Sequence, residues 1–213
     1  MLDGPSIAPS SGKAESLVIL AHGYGSNGAD LIGLAQKWRA LLPATFFIAP
    51  NAPEPSPHPG GFQWFPISSF SAEERAAGTY RVAPLFQEFI EAELAAHQLP
   101  PAKMALVGFS QGTMLSLHAG LRRTPPIAGI LGYSGALAAP EKLKDEICAR
   151  PPVLLLHGAD DQLIPFPAMF EAAGALKANG VPVETRVSQG VGHGIAQDGL
   201  EAGGRFLKRV LGG

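Results

Sequence analysis

The sequence predicts an α/β protein with one domain, built on a mainly parallel sheet that helices cover on both faces. Three observations lead to this prediction. Short apolar runs alternate with longer segments whose apolar residues recur every three or four positions, as strands and covering helices do. The length of 213 residues suits a single domain. The residues best suited to chemistry follow the ends of strands, where open sheets of this class bind their ligands.

The strands and helices come in regular order along the chain. Apolar runs predict strands at 17–21, 45–49, 104–107, 127–133, 153–158 and 181–187, the last with the alternating character of a sheet edge. Helical periodicity predicts helices at 30–42, 80–97, 110–120, 140–149, 167–179 and 197–211. Pro43 ends the first helix, and Gly180 closes the fifth.

Two stretches lie outside this alternation. Residues 1–14 are rich in proline, serine and glycine, and we expect a flexible N-terminal segment ahead of a domain that spans 15–213. Prolines recur through residues 50–79 and prevent a regular helix or a central strand, so we expect a long loop beside the functional edge of the sheet. Trp64 and Phe65 in this loop either contribute to an apolar substrate groove or pin the loop to the core.

The composition argues against several classes of function. A net charge of −2 gives no electrostatic reason to expect binding to nucleic acid or to an anionic membrane. The single cysteine, Cys148, cannot form an internal disulfide. The start of the chain lacks the pattern of a signal peptide, and no apolar run has the length needed to cross a bilayer. We therefore expect a cytoplasmic protein without stable membrane insertion.

A nucleophile elbow is predicted at residues 108–112, which read G-x-S-x-G with Ser110 at the centre. The apolar run before it and the helical pattern after it supply the strand, turn and helix that this motif requires. A serine hydroxyl needs a neighbouring base, and the base needs an orienting carboxylate. His193, in a glycine-rich loop between the last strand and the last helix, is the best candidate base. The carboxylate is Asp160 or Asp161, since both follow a strand and the pattern does not separate them.

The oxyanion formed by such a serine needs two N–H donors. Gln111, after the nucleophile, and Tyr24, in the loop after the first strand, are expected to supply them from the backbone. His22 is expected to shape the turn that carries Tyr24, and His157 to be a packed or hydrogen-bonded structural residue. The strand-end histidines and aspartates match no metal signature. Residues 23–28 fit G-x-G-x-x-G, but no acidic residue ends the second strand to bind a ribose, so we expect neither metal nor cofactor.

Together these motifs resemble the phospholipase/carboxylesterase family of α/β hydrolases, which includes acyl-protein thioesterases and bacterial carboxylesterases. The matching stretches are 20–25, 49–53, 64–65, 108–112, 157–165 and 192–195, and they extend over nearly the whole chain. The resemblance implies an α/β-hydrolase fold with little lid. It also implies that Asp161 is the acid, that Tyr24 and Gln111 donate to the oxyanion, and that the substrates are carboxylic esters or thioesters.

The expected function is therefore that of a serine hydrolase, a carboxylesterase acting on a small ester or acyl substrate through Ser110, His193 and Asp161. An acyl-protein thioesterase or a lysophospholipase acting on longer acyl chains is the alternative within this class. A ligand-binding protein without catalysis is the alternative from another class. An exposed apolar groove would serve either a substrate or a partner in a homodimer.

Overall fold

The structure is a computed structural model that describes residues 2–212. Met1, the first residue of the predicted segment 1–14, and Gly213, the last residue of the predicted domain 15–213, lie outside the described residues. The strands of the described chain are β1 (Ser6–Ile7), β2 (Ser16–Ala21), β3 (Thr45–Ile48), β4 (Glu54–Pro55), β5 (Phe62–Gln63), β6 (Met104–Phe109), β7 (Gly129–Tyr133), β8 (Val153–Gly158) and β9 (Val183–Ser188). Seven of them form one sheet in the order β1-β3-β2-β6-β7-β8-β9. All neighbours in this sheet are parallel except β1, which is antiparallel to β3. The mainly parallel sheet is as predicted.

Helices cover both faces of the sheet, which gives the α/β-hydrolase arrangement. They are α1 (Gly28–Trp38), α2 (Ala72–His97), α3 (Gln111–Leu121), α4 (Leu143–Glu146), α5 (Pro167–Ala178) and α6 (Gln197–Leu211). One hydrophobic cluster joins α2, α3 and α5 to the first face, and includes Phe86 and Leu115. The second joins α1 and α6 to the opposite face, and includes Trp38 and Phe206. No helix within residues 2–212 combines the length and apolar character needed to cross a membrane.

The strand register brings the predicted functional residues to one edge of the sheet. Ala21 of β2 lies opposite Gly108 of β6, and Phe109 of β6 lies opposite Tyr133 of β7. The residues that follow β2, β6 and β7 therefore leave the sheet side by side. The loops after β8 and β9 leave at the same edge because these strands run parallel to β7.

Helix α2 begins at Ala72, eight residues before the predicted start, so the proline-rich loop ends near residue 71 instead of 79. Ser71 caps the helix because its hydroxyl accepts a hydrogen bond from the Glu74 N–H at 3.1 Å. A serine followed three residues later by a glutamate is a recognised start signal for a helix, and the sequence prediction overlooked it. Helix α1 also differs, since Asn27 caps it and it ends at Trp38 instead of extending to 42.

Part of the segment 1–14, for which the composition predicts flexibility, pairs with the rest of the domain. Ser6 and Ile7 form the edge strand β1 beside β3. The Asn51 N–H donates to the Asp3 carbonyl at 2.8 Å, and Leu2 is buried with only 8% of its surface exposed. A free edge of the sheet presents unpaired backbone groups, and pairing with them orders a segment that its composition alone does not.

Candidate active site

Ser110 occupies a strained turn between β6 and α3. Its backbone has φ 54° and ψ −115°, a conformation that a residue with a side chain rarely adopts. The glycines around it are needed because the segments are very close. A Cβ at Gly112 would lie 1.9 Å from the Ala21 carbonyl oxygen, and one at Gly108 would lie 2.4 Å from the Gly112 carbonyl oxygen. The predicted elbow is therefore present, with its serine at the start of a helix.

The carboxylate of Asp161 is joined to His193. The His193 Nδ1 lies 2.7 Å from Asp161 Oδ2, while Asp161 Oδ1 accepts hydrogen bonds from the N–H groups of Leu163 at 3.0 Å and Ile164 at 2.9 Å. The side chain of Asp161 is fully buried, whereas Asp160 is exposed. Of the two aspartates that the pattern left open, the structure brings Asp161 to the histidine.

His157 contacts the same carboxylate as His193 does. Its Nε2 lies 2.8 Å from the Ile164 carbonyl oxygen and 3.1 Å from Asp161 Oδ2. A carbonyl oxygen only accepts, so this nitrogen carries the hydrogen and is the donor to Ile164. The structural role predicted for His157 agrees with this geometry, and its contact with the acid is an addition to it.

His22 orders the loop that carries Tyr24. Its Nδ1–H donates to the Gly23 carbonyl at 2.7 Å, and its Nε2 accepts from the Ala52 N–H at 3.0 Å. These two bonds require the neutral ring with hydrogen on Nδ1. Burial lowers the pKa of His22 below the ordinary value of 6.5, which keeps the ring in that neutral form. His22 thus shapes the turn, as predicted.

The backbone N–H groups of Tyr24 and Gln111 are among those near Ser110 that have no acceptor within residues 2–212. At the start of α3 the N–H groups of Thr113 and Met114 turn back to the Ser110 carbonyl at 3.0 and 3.3 Å. The Gln111 N–H is left free, as the first N–H groups of a helix are. The Tyr24 loop is close to Ser110, since a Cβ at Gly23 would lie 3.3 Å from the Ser110 Cβ.

Ser110 and His193 are brought near one another by the segments that flank them. The ring centroids of Phe109 and His193 are 5.0 Å apart, and the Ser134 hydroxyl donates to the Gly194 carbonyl at 3.3 Å. In the part of the chain that the structure describes, the Ser110 hydroxyl and His193 do not form a direct hydrogen bond. Such contacts are often long before a substrate is bound.

The side chain of Gln111 has a role that the sequence prediction missed. Its Oε1 accepts from the Trp64 N–H at 2.8 Å, and its Nε2 donates to the Phe65 carbonyl at 2.7 Å. The Trp64 indole N–H also donates to the His22 carbonyl at 2.9 Å. The side-chain amide of Gln111 both accepts and donates, so it fixes the backbone at Trp64 and Phe65 through one N–H group and one carbonyl group. The sequence predicted a role only for the backbone N–H of Gln111, because that prediction came from its position after Ser110 in the G-x-S-x-G motif.

The predicted substrate groove at Trp64 and Phe65 needs correction. Their exposed fractions are 0% and 1%, so neither side chain offers a surface to a substrate. Both belong to the hydrophobic cluster that contains α2, α3 and α5. The second interpretation, that they pin the loop to the core, is the one that fits their burial.

A cavity of about 310 Å³ lies beside this site. Its walls are the first turn of α2, the segment 136–141 after β7, and one side of α5. Neither Ser110 nor His193 lines it, but the wall segment 136–141 directly follows Gly135, where a Cβ would lie 3.0 Å from the Ser110 carbonyl oxygen. One wall of the cavity therefore belongs to the loop that passes the Ser110 backbone.

Comparison with known proteins gives consistent results. Residues 2–211 match the sequence model of the family described as Phospholipase/Carboxylesterase. A solved structure described as esterase PE8 is 44% identical, with a TM-score of 0.96 and 99% of each chain covered. Acyl-protein thioesterase 1 of Schizosaccharomyces pombe is 31% identical over 92% of this chain and 91% of that protein. Esterase YpfH of Escherichia coli is 26% identical over 85% of this chain and 77% of that protein.

Proposed function

Because this chain belongs to the phospholipase/carboxylesterase family and is a carboxylic ester hydrolase, we propose that Ser110, His193 and Asp161 are the catalytic triad with which it cleaves esters. The observation that carries the assignment is the 2.7 Å contact between His193 Nδ1 and the buried Asp161, at the same edge of the sheet as a serine in a strained elbow. The enzyme class argues against the ligand-binding alternative without catalysis.

The proposed reaction has two halves. The Ser110 Oγ attacks the acyl carbonyl carbon while His193 Nε2 takes its proton, since Nδ1 is already held by Asp161. The oxyanion accepts hydrogen bonds from the N–H groups of Tyr24 and Gln111. His193 then protonates the departing alcohol or thiol, which leaves an acyl ester on Ser110. In the second half His193 removes a proton from water, the water attacks the acyl carbon, and the acid leaves as Ser110 is reprotonated.

Small carboxylic esters are the proposed substrate class, because the solved structure that is 44% identical is described as an esterase. Thioesters are the second candidate, because the relative of 31% identity is named an acyl-protein thioesterase. Lysophospholipids with longer acyl chains remain the third. A series of matched oxygen esters, thioesters and lysophospholipids, compared by kcat/KM on one preparation, would rank the three classes.

The test of the triad is labelling of the protein with a fluorophosphonate, followed by intact-mass measurement and mapping of the adduct. We expect one adduct on Ser110, and Ser110→Ala should lose both the adduct and at least about 10³-fold in kcat for an activated short ester. Ser116→Ala is the matched control, because Ser116 is buried on the same helix and its hydroxyl has no partner among the described residues. A folded Ser110→Ala protein that keeps its activity would overturn the assignment.

Two further sequence expectations stay proposals. A homodimer would cover exposed apolar residues such as Leu163 and Phe170, which are 64% and 50% exposed. Light scattering would test it against the monomer mass of 22.2 kDa. A cytoplasmic location would be tested by fractionation of cells that produce the protein.

A further inference from the structure

The loop that joins the buried Phe65 to α2, residues 66–71, is held at both of its ends. At the first end the Gln111 amide donates to the Phe65 carbonyl at 2.7 Å, which ties the loop to the residue after the nucleophile. At the second end the loop is wound around the carboxylate of Glu74, in the first turn of α2. The catalytic proposal accounts for the first attachment and leaves the second without a role.

The carboxylate of Glu74 accepts five hydrogen bonds from three consecutive residues. Its Oε1 accepts from the N–H and the hydroxyl of Ser68, both at 2.6 Å. Its Oε2 accepts from the N–H and hydroxyl of Ser69 at 2.9 and 3.3 Å, and from the Phe70 N–H at 2.8 Å. Every donor faces an ionised oxygen, and charge-assisted bonds of this kind are stronger than neutral ones. One side chain therefore fixes the course of the loop.

Phe70 is the residue whose conformation this arrangement maintains. Its φ is 59°, in the left-handed region that a bulky side chain disfavours. Its N–H is held by Glu74, and its carbonyl accepts a hydrogen bond from the Arg75 guanidinium. Phe70 is 36% exposed, and in the described part of the chain only Leu163 and Phe170 are other large apolar residues exposed to this degree. Strain that is maintained by several bonds around an exposed aromatic residue points to a use for that residue.

The position of Phe70 suggests that use. It lies two residues before Ala72, and Ala72 and Ala76 form one wall of the 310 Å³ cavity beside the site. The facing wall includes Ala136 and follows Gly135, which abuts Ser110. Phe70 thus lies two residues before the wall of a space that has alanine side chains on both sides, with Glu73, Arg75, Glu141 and Glu171 also in its lining.

We propose that Glu74 is a positioning residue for substrate selection, which holds Phe70 where its ring contacts the apolar part of an acyl chain. The proposal rests on the proposed ester hydrolysis, since it concerns which substrates reach Ser110. Phe70 provides the contact, and Glu74 acts only through Phe70. A short acyl group such as acetyl does not extend to this ring, so its hydrolysis does not depend on Glu74.

The experiment compares p-nitrophenyl octanoate with p-nitrophenyl acetate in the wild type, Glu74→Gln, Phe70→Ala and the double variant. A glutamine has only one acceptor oxygen and would point an NH₂ group at N–H donors. We expect KM for the octanoate to rise about tenfold in each single variant, the lower range for a lost apolar contact, while kcat and KM for the acetate change less than about twofold. The double variant should lose no more than Phe70→Ala alone, because the two changes remove one contact.

Glu88→Gln is the matched control, because Glu88 is an exposed residue of the same helix and the change removes the same charge. Equal losses for both esters in a folded Glu74→Gln protein would show a structural role only, and additive losses in the double variant would show that Glu74 does not act through Phe70. Either result overturns the proposal. Failure of the catalytic assignment looks different, since the wild type would then form no fluorophosphonate adduct on Ser110.

Discussion

Two polar networks hold the chain that passes Ser110, and they do so by different physical means. The Gln111 network consists of Gln111, Trp64, Phe65 and His22; it is buried and uncharged. The Glu74 network consists of Glu74, Ser68, Ser69 and Phe70; it is mostly exposed and centred on a charge. A broken bond in the first leaves a buried group without a partner, whereas water replaces a broken bond in the second. The first network should therefore determine stability, and the second the local shape of a loop.

The largest effect is expected from breaking the buried network. Gln111→Leu leaves the Trp64 N–H and the Phe65 carbonyl buried without partners, at a cost of about 1–3 kcal/mol each in the free energy of unfolding. Urea unfolding followed by tryptophan fluorescence would measure the loss. Gln87→Leu is the control, because the amide of Gln87 makes one partly buried hydrogen bond, to the Ala119 carbonyl. Equal unfolding midpoints for the two variants would contradict the importance assigned to Gln111.

Acid should weaken the buried network next. Burial lowers the pKa of His22 below 6.5, so the unfolded chain binds a proton before the folded protein does. Its contribution to stability is complete above about pH 6.5 and is lost as the pH falls, with a slope of at most about 1.4 kcal/mol per pH unit. Burial also lowers the pKa of His118, to about 4, and a His118→Leu background removes that second contribution. Unfolding midpoints that stay constant between pH 6.5 and 5 in this background would contradict the role of His22.

The smallest change in stability is expected for the exposed network, and in a different pH range. Hydrogen bonds from Ser68 and then from Ser69 lower the pKa of Glu74 to about 2. The stability that Glu74 provides is therefore present above its ordinary pKa of 4.5 and is lost as the pH falls through about 2. Glu74→Gln should unfold at a urea concentration much closer to that of the wild type than Gln111→Leu does at pH 7. The difference from the wild type should begin to shrink below pH 4.5 and should disappear only near pH 2.

The sequence was sufficient for the parts of the molecule that depend on periodicity and on motifs. Apolar runs predicted the strands of the parallel sheet, and the G-x-S-x-G pattern predicted the strained turn at Ser110 because only glycines fit beside it. The predicted start of α2 is eight residues late although Ser71 and Glu74 signal the true start locally, because the prolines that recur up to residue 66 indicate an irregular chain. Edge strand β1 was missed for a different reason, because its order comes from pairing with β3.

In the candidate site, too, some features follow from sequence motifs and others depend on tertiary packing. His193, Asp161 and the free N–H groups of Tyr24 and Gln111 follow from chain order and from the family resemblance. The side-chain bonds of Gln111 and Glu74 did not follow, because they join segments whose approach depends on tertiary packing. The burial of Trp64 has the same origin, since an aromatic residue in a proline-rich loop reads equally well as exposed or anchored until the core around it is known.

The two outer strands of the sheet have a consequence for how copies of this protein meet. Strand β1 is only two residues long, and strand β9 exposes Glu184 and Arg186. Short and charged edges resist the addition of another strand, so the sheet has protection against growth into aggregates at both sides. A sheet that continues from one copy to the next is therefore disfavoured, and association of two copies would have to use helices or loops instead.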